Sequence, residues 1–157
     1  MPSVQTVRGS VDTASLGPTL MHEHVFIIGT EHVQNYGHGA WWDEEERVAD
    51  AVAKLKELAE RGVSTIVDPT VWGLGRYIPR IQRIAEQVPE LNIIVATGYY
   101  TYNDIPFQMH LRGPETPLGG PDPMIDLFCR DLMEGIADTG VRAAFLKCAV
   151  DTEGMTP

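Results

Sequence analysis

A chain of 157 residues, 43% hydrophobic and 22% charged, has the make-up of an ordinary soluble globular protein. Its formal net charge of -10 argues against nucleic acid and anionic membrane surfaces as partners, because no basic patch offsets phosphate repulsion. Cys129 and Cys148 make no disulfide framework, the start of the chain has no basic-then-apolar secretory pattern, and no apolar run is long enough to span a bilayer, so a cytoplasmic protein is expected.

Residues 1–17 are mixed, with a turn signal at Gly9-Ser10, and are expected to lead into the first strand. That strand is Thr19-Leu20-Met21-His22-Glu23-His24-Val25-Phe26, bounded by Gly17-Pro18 and Gly29. Alternation along a strand puts His22 and His24 on one face. Two neutral imidazoles so placed can share one zinc-type ion; the other reading is a hydrogen-bonded pair in a core. The metal reading comes first, because two rings side by side otherwise share one desolvated pocket.

A loop holding His32, Tyr36, His38, Trp41 and Trp42 follows. Asp43 is placed to cap a helix, with Glu46 at the capping-box position, and the acids at 44–46 suit a helix N-terminus better than a ligand cluster. Val48, Val52, Leu55 and Ala59 keep helical spacing up to Gly62. The second strand is Val63–Asp68, and Gly73-Leu74-Gly75, a turn rather than a nucleotide loop, leads to a helix on Ile78, Ile81, Ala85 and Val88 with Pro79 in its first turn. The third strand, Leu91–Thr97, is nearly continuous in apolar content, as a buried parallel strand should be. A connection from Gly98 to Pro121 is long enough to suggest a functional loop. Asp122-Pro123 opens a helix on Ile125, Phe128, Leu132 and Ile136, ending at Gly140, before the fourth strand, Ala143–Cys148.

Strand and helix alternate throughout, which implies parallel βαβ units. Gly154-Met155-Thr156-Pro157 has the pattern of a further helix start. A (β/α)8 barrel takes about 250 residues. Residues 1–157 are therefore expected to be one domain, the first four βα units of a TIM barrel, cut at the start of the fourth helix.

Lys147 ends an apolar strand, a costly place for an ammonium group. Burial favours the free amine, which can act as a base, form a Schiff base, or take up carbon dioxide as a carbamate. The plainer reading is a lysine reaching from the strand end to water. Asp68, also at a strand end, is placed either to accept a hydrogen bond from a metal-bound imidazole or to order the loop containing Thr70.

Thr19–His24, Val67-Asp68-Pro69-Thr70, Gly73-Leu74-Gly75-Arg76, Ala96-Thr97-Gly98-Tyr99-Tyr100-Thr101-Tyr102 and Leu146-Lys147-Cys148-Ala149 occur in this order. Together they resemble the phosphotriesterase family of the amidohydrolase superfamily, nearest to its phosphotriesterase-like lactonases. The resemblance implies a (β/α)8 barrel with a binuclear metal centre and a bridging hydroxide, hydrolysing lactones and esters with organophosphate triesters as a side activity. It implies two divalent metal ions, zinc foremost, with cobalt, manganese or iron also compatible. His22 and His24 match the ligands of the more buried metal, and Lys147, carboxylated, the bridge between both. Tyr100 matches the tyrosine that reaches the bridging hydroxide and substrate; Tyr102 has a weaker match at the substrate mouth, with loop packing as its other role. The family completes its site with two histidines and an aspartate from later strands, so a second reading is a non-catalytic fragment with an incomplete metal site. The expected partners are a small-molecule substrate and, in a homodimer, a second copy of the chain. His32, His38 and His110 are expected at the rim or surface, Trp41, Trp42, Phe107 and Met109 in loop packing, with the lining of a substrate mouth as their other reading, and Cys148 against a helix on the face opposite Lys147.

Overall fold

The computed structural model describes residues 1–37 and 41–150. His38 and the helix start expected at Gly154–Pro157 lie outside these residues.

The leading segment is more ordered than its mixed composition suggested. Ser3–Thr6 (β1) and Gly9–Asp12 (β2) form an antiparallel hairpin closed at Val7-Arg8. The turn is anchored rather than free: Val7 N–H donates to the Ile93 carbonyl at 2.8 Å. The Arg8 guanidinium donates to the carbonyls of Ala85, Val88, Pro89 and Leu91 at 2.7, 3.1, 2.8 and 3.0 Å.

Four parallel strands make the main sheet: Thr19–Leu20 (β3), Thr65–Asp68 (β4), Asn92–Gly98 (β5) and Phe145–Lys147 (β6), in the order β3-β4-β5-β6. The expected strand arrangement is there, but the first strand is much shorter than Thr19–Phe26. Its ladder ends at Leu20 opposite Ile66, with one further link from Glu23 N–H to the Val67 carbonyl at 3.0 Å. The Val25 amide faces a side chain instead, the Asp68 carboxylate, at 3.4 Å. The segment carrying both histidines therefore leaves the sheet as an irregular extension of β3.

Helices follow the strands. Thr30–Tyr36 (α1) lies in the segment expected to be loop, between Gly29 and a Gly37 with φ of 72°. Glu44–Glu60 (α2) starts as its sequence predicts, the Asp43 carboxylate accepting from the Glu46 amide at 3.0 Å, and buries Val48, Ala51 and Val52. Ile78–Gln87 (α3) carries proline in its first turn and buries Ile81 and Ile84. The long connection after β5 contains a 3-10 turn at Tyr102–Asp104 and a short helix, Phe107–His110 (α4). Pro123–Met133 (α5) is capped by Asp122 but stops before Gly140. The Glu134 and Gly135 amides both close on the Arg130 carbonyl, at 2.8 and 3.0 Å, which ends the helix. Ile136 keeps the apolar spacing because it is buried from a loop, where its amide donates to Val141.

Alternation along β4 and β5 divides the sheet. Ile66, Ile93 and Val95 pack with Val48, Val52, Ile81 and Ile84 from α2 and α3. Val67 and Ile94 line an apolar groove with Phe145 on the opposite face. The α2–α3 contact is held by Arg80, whose guanidinium lies 5.2 Å from the Phe26 and Trp42 rings and donates to Glu44 at 2.8 and 2.9 Å. No helix among the described residues is long and apolar enough to cross a membrane.

Candidate metal centre

The hairpin β1–β2 sits at the start of the parallel strands, against Ile93, while the chemistry-bearing side chains gather at the other end. His22 and His24 follow β3, Asp68 ends β4, Tyr100 follows β5, and Lys147 ends β6. The carboxyl ends of parallel strands are where α/β barrels build their sites, because the loops there splay apart and leave room for a ligand.

The two imidazoles converge. His22 Nε2 and His24 Nε2 are 3.2 Å apart, with ring centroids separated by 5.1 Å. Two nitrogens bound to one tetrahedral zinc at its usual bond length stand about 3.3 Å apart, so the pair already has the spacing that a shared ion requires. His24 is half-buried and His22 exposed. Burial holds the His24 pKa below the ordinary imidazole value despite Asp68, and Lys147 lowers it further. A neutral ring is the form that binds a metal.

Asp68 performs the second of its two expected roles directly and approaches the first at a distance. Its Oδ1 accepts the Thr70 amide at 2.9 Å and the Thr70 hydroxyl. His24 Nδ1 lies 3.8 Å from that carboxylate but 2.8 Å from Thr70 Oγ1. Thr70, given no role of its own by the sequence, thus stands between the acid and the ring. Burial raises the Asp68 pKa, and the hydrogen bonds from Thr70 oppose that rise.

Lys147 is half-buried, its Nζ 4.6 Å from the centre of the Tyr100 ring. Desolvation lowers its pKa below the ordinary lysine value. Tyr100 is fixed by its backbone, its amide donating to Trp72 and its carbonyl accepting from Ala149, both at 2.7 Å. The close approach of β5 and β6 depends on Gly98, which pairs with Lys147 and has φ of 131°. A side chain there would put its Cβ 2.0 Å from the Lys147 carbonyl oxygen. Sequence reasoning passed over Gly98; a glycine ending an otherwise apolar strand was the available signal.

The remaining candidates make their ring contacts with other residues. Tyr102 is 51% exposed and packs edge-on against His110 at 4.6 Å. His32 is exposed between Tyr36 and Trp41. Trp42 is buried against Phe26, whereas Trp41 and Phe107 are exposed. Cys148 is also exposed, with no helix among the described residues covering it, so the expected structural packing is not found. Among the described residues no three His, Cys, Asp or Glu side chains form a metal-sized group. The donor set is two imidazoles after β3, with a lysine at the end of β6.

The model of the phosphotriesterase family matches residues 2–157. The phosphotriesterase homology protein of Mycobacterium tuberculosis is 62% identical over 157 residues, which are all of this chain and 48% of that protein. The aryldialkylphosphatase of Saccharolobus solfataricus is 36% identical over 149 residues, 95% of this chain and 44% of its own length. The solved structure of the phosphotriesterase from Mycobacterium tuberculosis superposes with a TM-score of 0.92 at 62% identity, over 99% of this chain and 48% of that one. The chain spans about half the length of the curated relatives it matches.

Proposed function

We propose that this chain, which belongs to the phosphotriesterase family, contributes half the active site of a metal-dependent hydrolase. Its four parallel strands, with the helices that connect them, correspond to the first βα units of the family's (β/α)8 barrel. Residues 1–157 then form one domain unit, the amino-terminal half of that barrel. The observation that carries the metal reading is the 3.2 Å separation of His22 Nε2 and His24 Nε2 at the carboxyl end of the sheet.

In this reading His22 and His24 direct their Nε2 lone pairs at one ion. Lys147, whose partial desolvation favours the free amine, adds to carbon dioxide: an N–C bond forms, one N–H proton leaves, and the product is an anion. With His22 and His24, that carbamate would help hold two divalent ions, zinc foremost and cobalt, manganese or iron compatible. When bound, the ions supply Lewis acidity and a water made acidic enough to attack at neutral pH. Tyr100, held beside Lys147, orients the substrate against that centre. The substrates proposed are lactones and esters, with organophosphate triesters as a side activity; the name of the aryldialkylphosphatase relative supports the phosphotriester arm. A homodimer of complete barrels is the proposed assembly.

A second reading applies to residues 1–157 by themselves. Two imidazoles and a lysine are too few to hold two ions, and no third His, Cys, Asp or Glu joins them among the described residues. The 157-residue chain alone is expected to bind metal weakly and turn over little substrate.

The test is made on the complete protein. His22→Ala and His24→Ala should each lower bound metal and abolish hydrolysis. Lys147→Arg keeps a cation able to reach water but cannot form a carbamate, so it should lose activity and metal together. Normal metal content in the histidine variants would remove these residues from the site, and a fully active Lys147→Arg enzyme would sink the bridging role.

A further inference from the structure

We infer that Thr70 is a positioning residue for His24: its hydroxyl, held by Asp68, fixes the imidazole as the Nδ1–H tautomer and leaves the Nε2 lone pair facing His22. The inference rests on the reading of His24 as a metal ligand, and it follows from counting protons along one chain of hydrogen bonds. Thr70 has a single hydroxyl proton. Its Oγ1 has two nearby oxygen acceptors, Asp68 Oδ1 in close contact and the Phe26 carbonyl at 3.4 Å. Asp68 Oδ1 also accepts the Thr70 amide at 2.9 Å, and Oδ2 faces the Val25 amide at 3.4 Å, so the carboxylate is surrounded by donors. With its proton directed to an oxygen, Thr70 Oγ1 presents only lone pairs to His24 Nδ1 at 2.8 Å, and the ring nitrogen must be the donor.

A neutral imidazole with its proton on Nδ1 has its lone pair on Nε2. That lone pair points at His22 Nε2, 3.2 Å away, so in the metal-free protein His22 Nε2–H donates across the gap. The proton of the pair then belongs to His22, and His24 is ready for an ion without a change of tautomer. Direct control by Asp68 is excluded by distance, 3.8 Å from Nδ1. Water is a poor substitute for the hydroxyl, since Thr70 is 6% and Asp68 2% exposed. Threonine suits the task, because its branched Cβ restricts χ1 and with it the direction of the hydroxyl.

The test uses the complete protein as wild type, Thr70→Val and Thr70→Ser. In the metal-free wild type, 15N shifts of the imidazole rings should give His24 as the Nδ1–H tautomer and His22 as Nε2–H. Thr70→Val should shift His24 towards Nε2–H and weaken zinc binding about 10- to 100-fold, the usual cost of losing a hydrogen bond that orients a ligand. Thr70→Ser should restore both. A wild-type His24 protonated on Nε2 overturns the inference without recourse to any variant. A folded Thr70→Val protein with unchanged tautomer and zinc affinity overturns it as well. His24→Ala separates the two claims: full zinc occupancy there defeats the metal reading, whatever the tautomer.

Discussion

Replacing Gly98 by alanine tests whether the spacing of β5 and β6 sets the position of Lys147. The new Cβ would stand 2.0 Å from the Lys147 carbonyl oxygen and 3.0 Å from its carbonyl carbon. Real Cβ contacts do not fall below 3.0 Å, so the strands must separate by about 1 Å. The displacement falls on β6. Four of the seven residues of β5, Asn92 to Val95, also pair with β4, whereas β6 has three residues and carries a Leu146 that is 59% exposed. Lys147 then moves relative to both the Tyr100 ring and His24. A misplacement of about 1 Å in a reacting constellation costs about 100-fold in rate, or about 2.7 kcal/mol of barrier. The positive φ of 131° adds about 1–3 kcal/mol of backbone strain. Gly120→Ala is the control, since φ is 86° there but nothing lies within 4 Å of the added methyl group. The assay is kcat/KM towards a lactone and an organophosphate triester, together with zinc stoichiometry, on the complete protein. Wild-type kcat/KM and metal content in Gly98→Ala, or an equal loss in Gly120→Ala, would refute the reasoning.

Arg8→Ala should destabilise the fold by about 1–3 kcal/mol, read as a lower denaturant midpoint, because it uncaps four carbonyls at and beyond the end of α3. Arg8→Lys should recover only part of this, since an ammonium group cannot span that fan of acceptors. Glu44 titrates in the acid range: its hydrogen bond from Arg80, helped by Trp42, holds the carboxyl pKa below its ordinary value of 4.5. The stabilisation is therefore present above pH 4.5 and lost as pH falls through the lower folded value. Glu44→Gln should cost about 1–3 kcal/mol at neutral pH and flatten the stability curve below pH 4.5, followed by urea unfolding across pH; an unchanged curve would discount the pair.

Much of this architecture is written in local pattern. Asp43 capping at Glu46, proline in the first turns of α3 and α5, and the apolar runs at β4 and β5 depend on residues close in sequence, so spacing alone located them. The alternation that put His22 and His24 on one side is equally local, and their Nε2 atoms do meet. What spacing could not supply was the length of β3, because a strand ends where its partner stops pairing, and that depends on the Asp68 carboxylate facing Val25 across 43 positions. The hairpin β1–β2 escaped for the same reason: its anchors are carbonyls 77 to 83 residues away from Arg8. Ile136 misled because helical spacing records burial and not hydrogen bonding, and the Arg130 carbonyl ends the helix before it. The site divides in the same way. Residue type marked His22, His24 and Lys147 as able to hold metal. Only the packed strands brought Thr70 between Asp68 and His24, and set Gly98 against the Lys147 carbonyl, because these contacts join segments that share no local period.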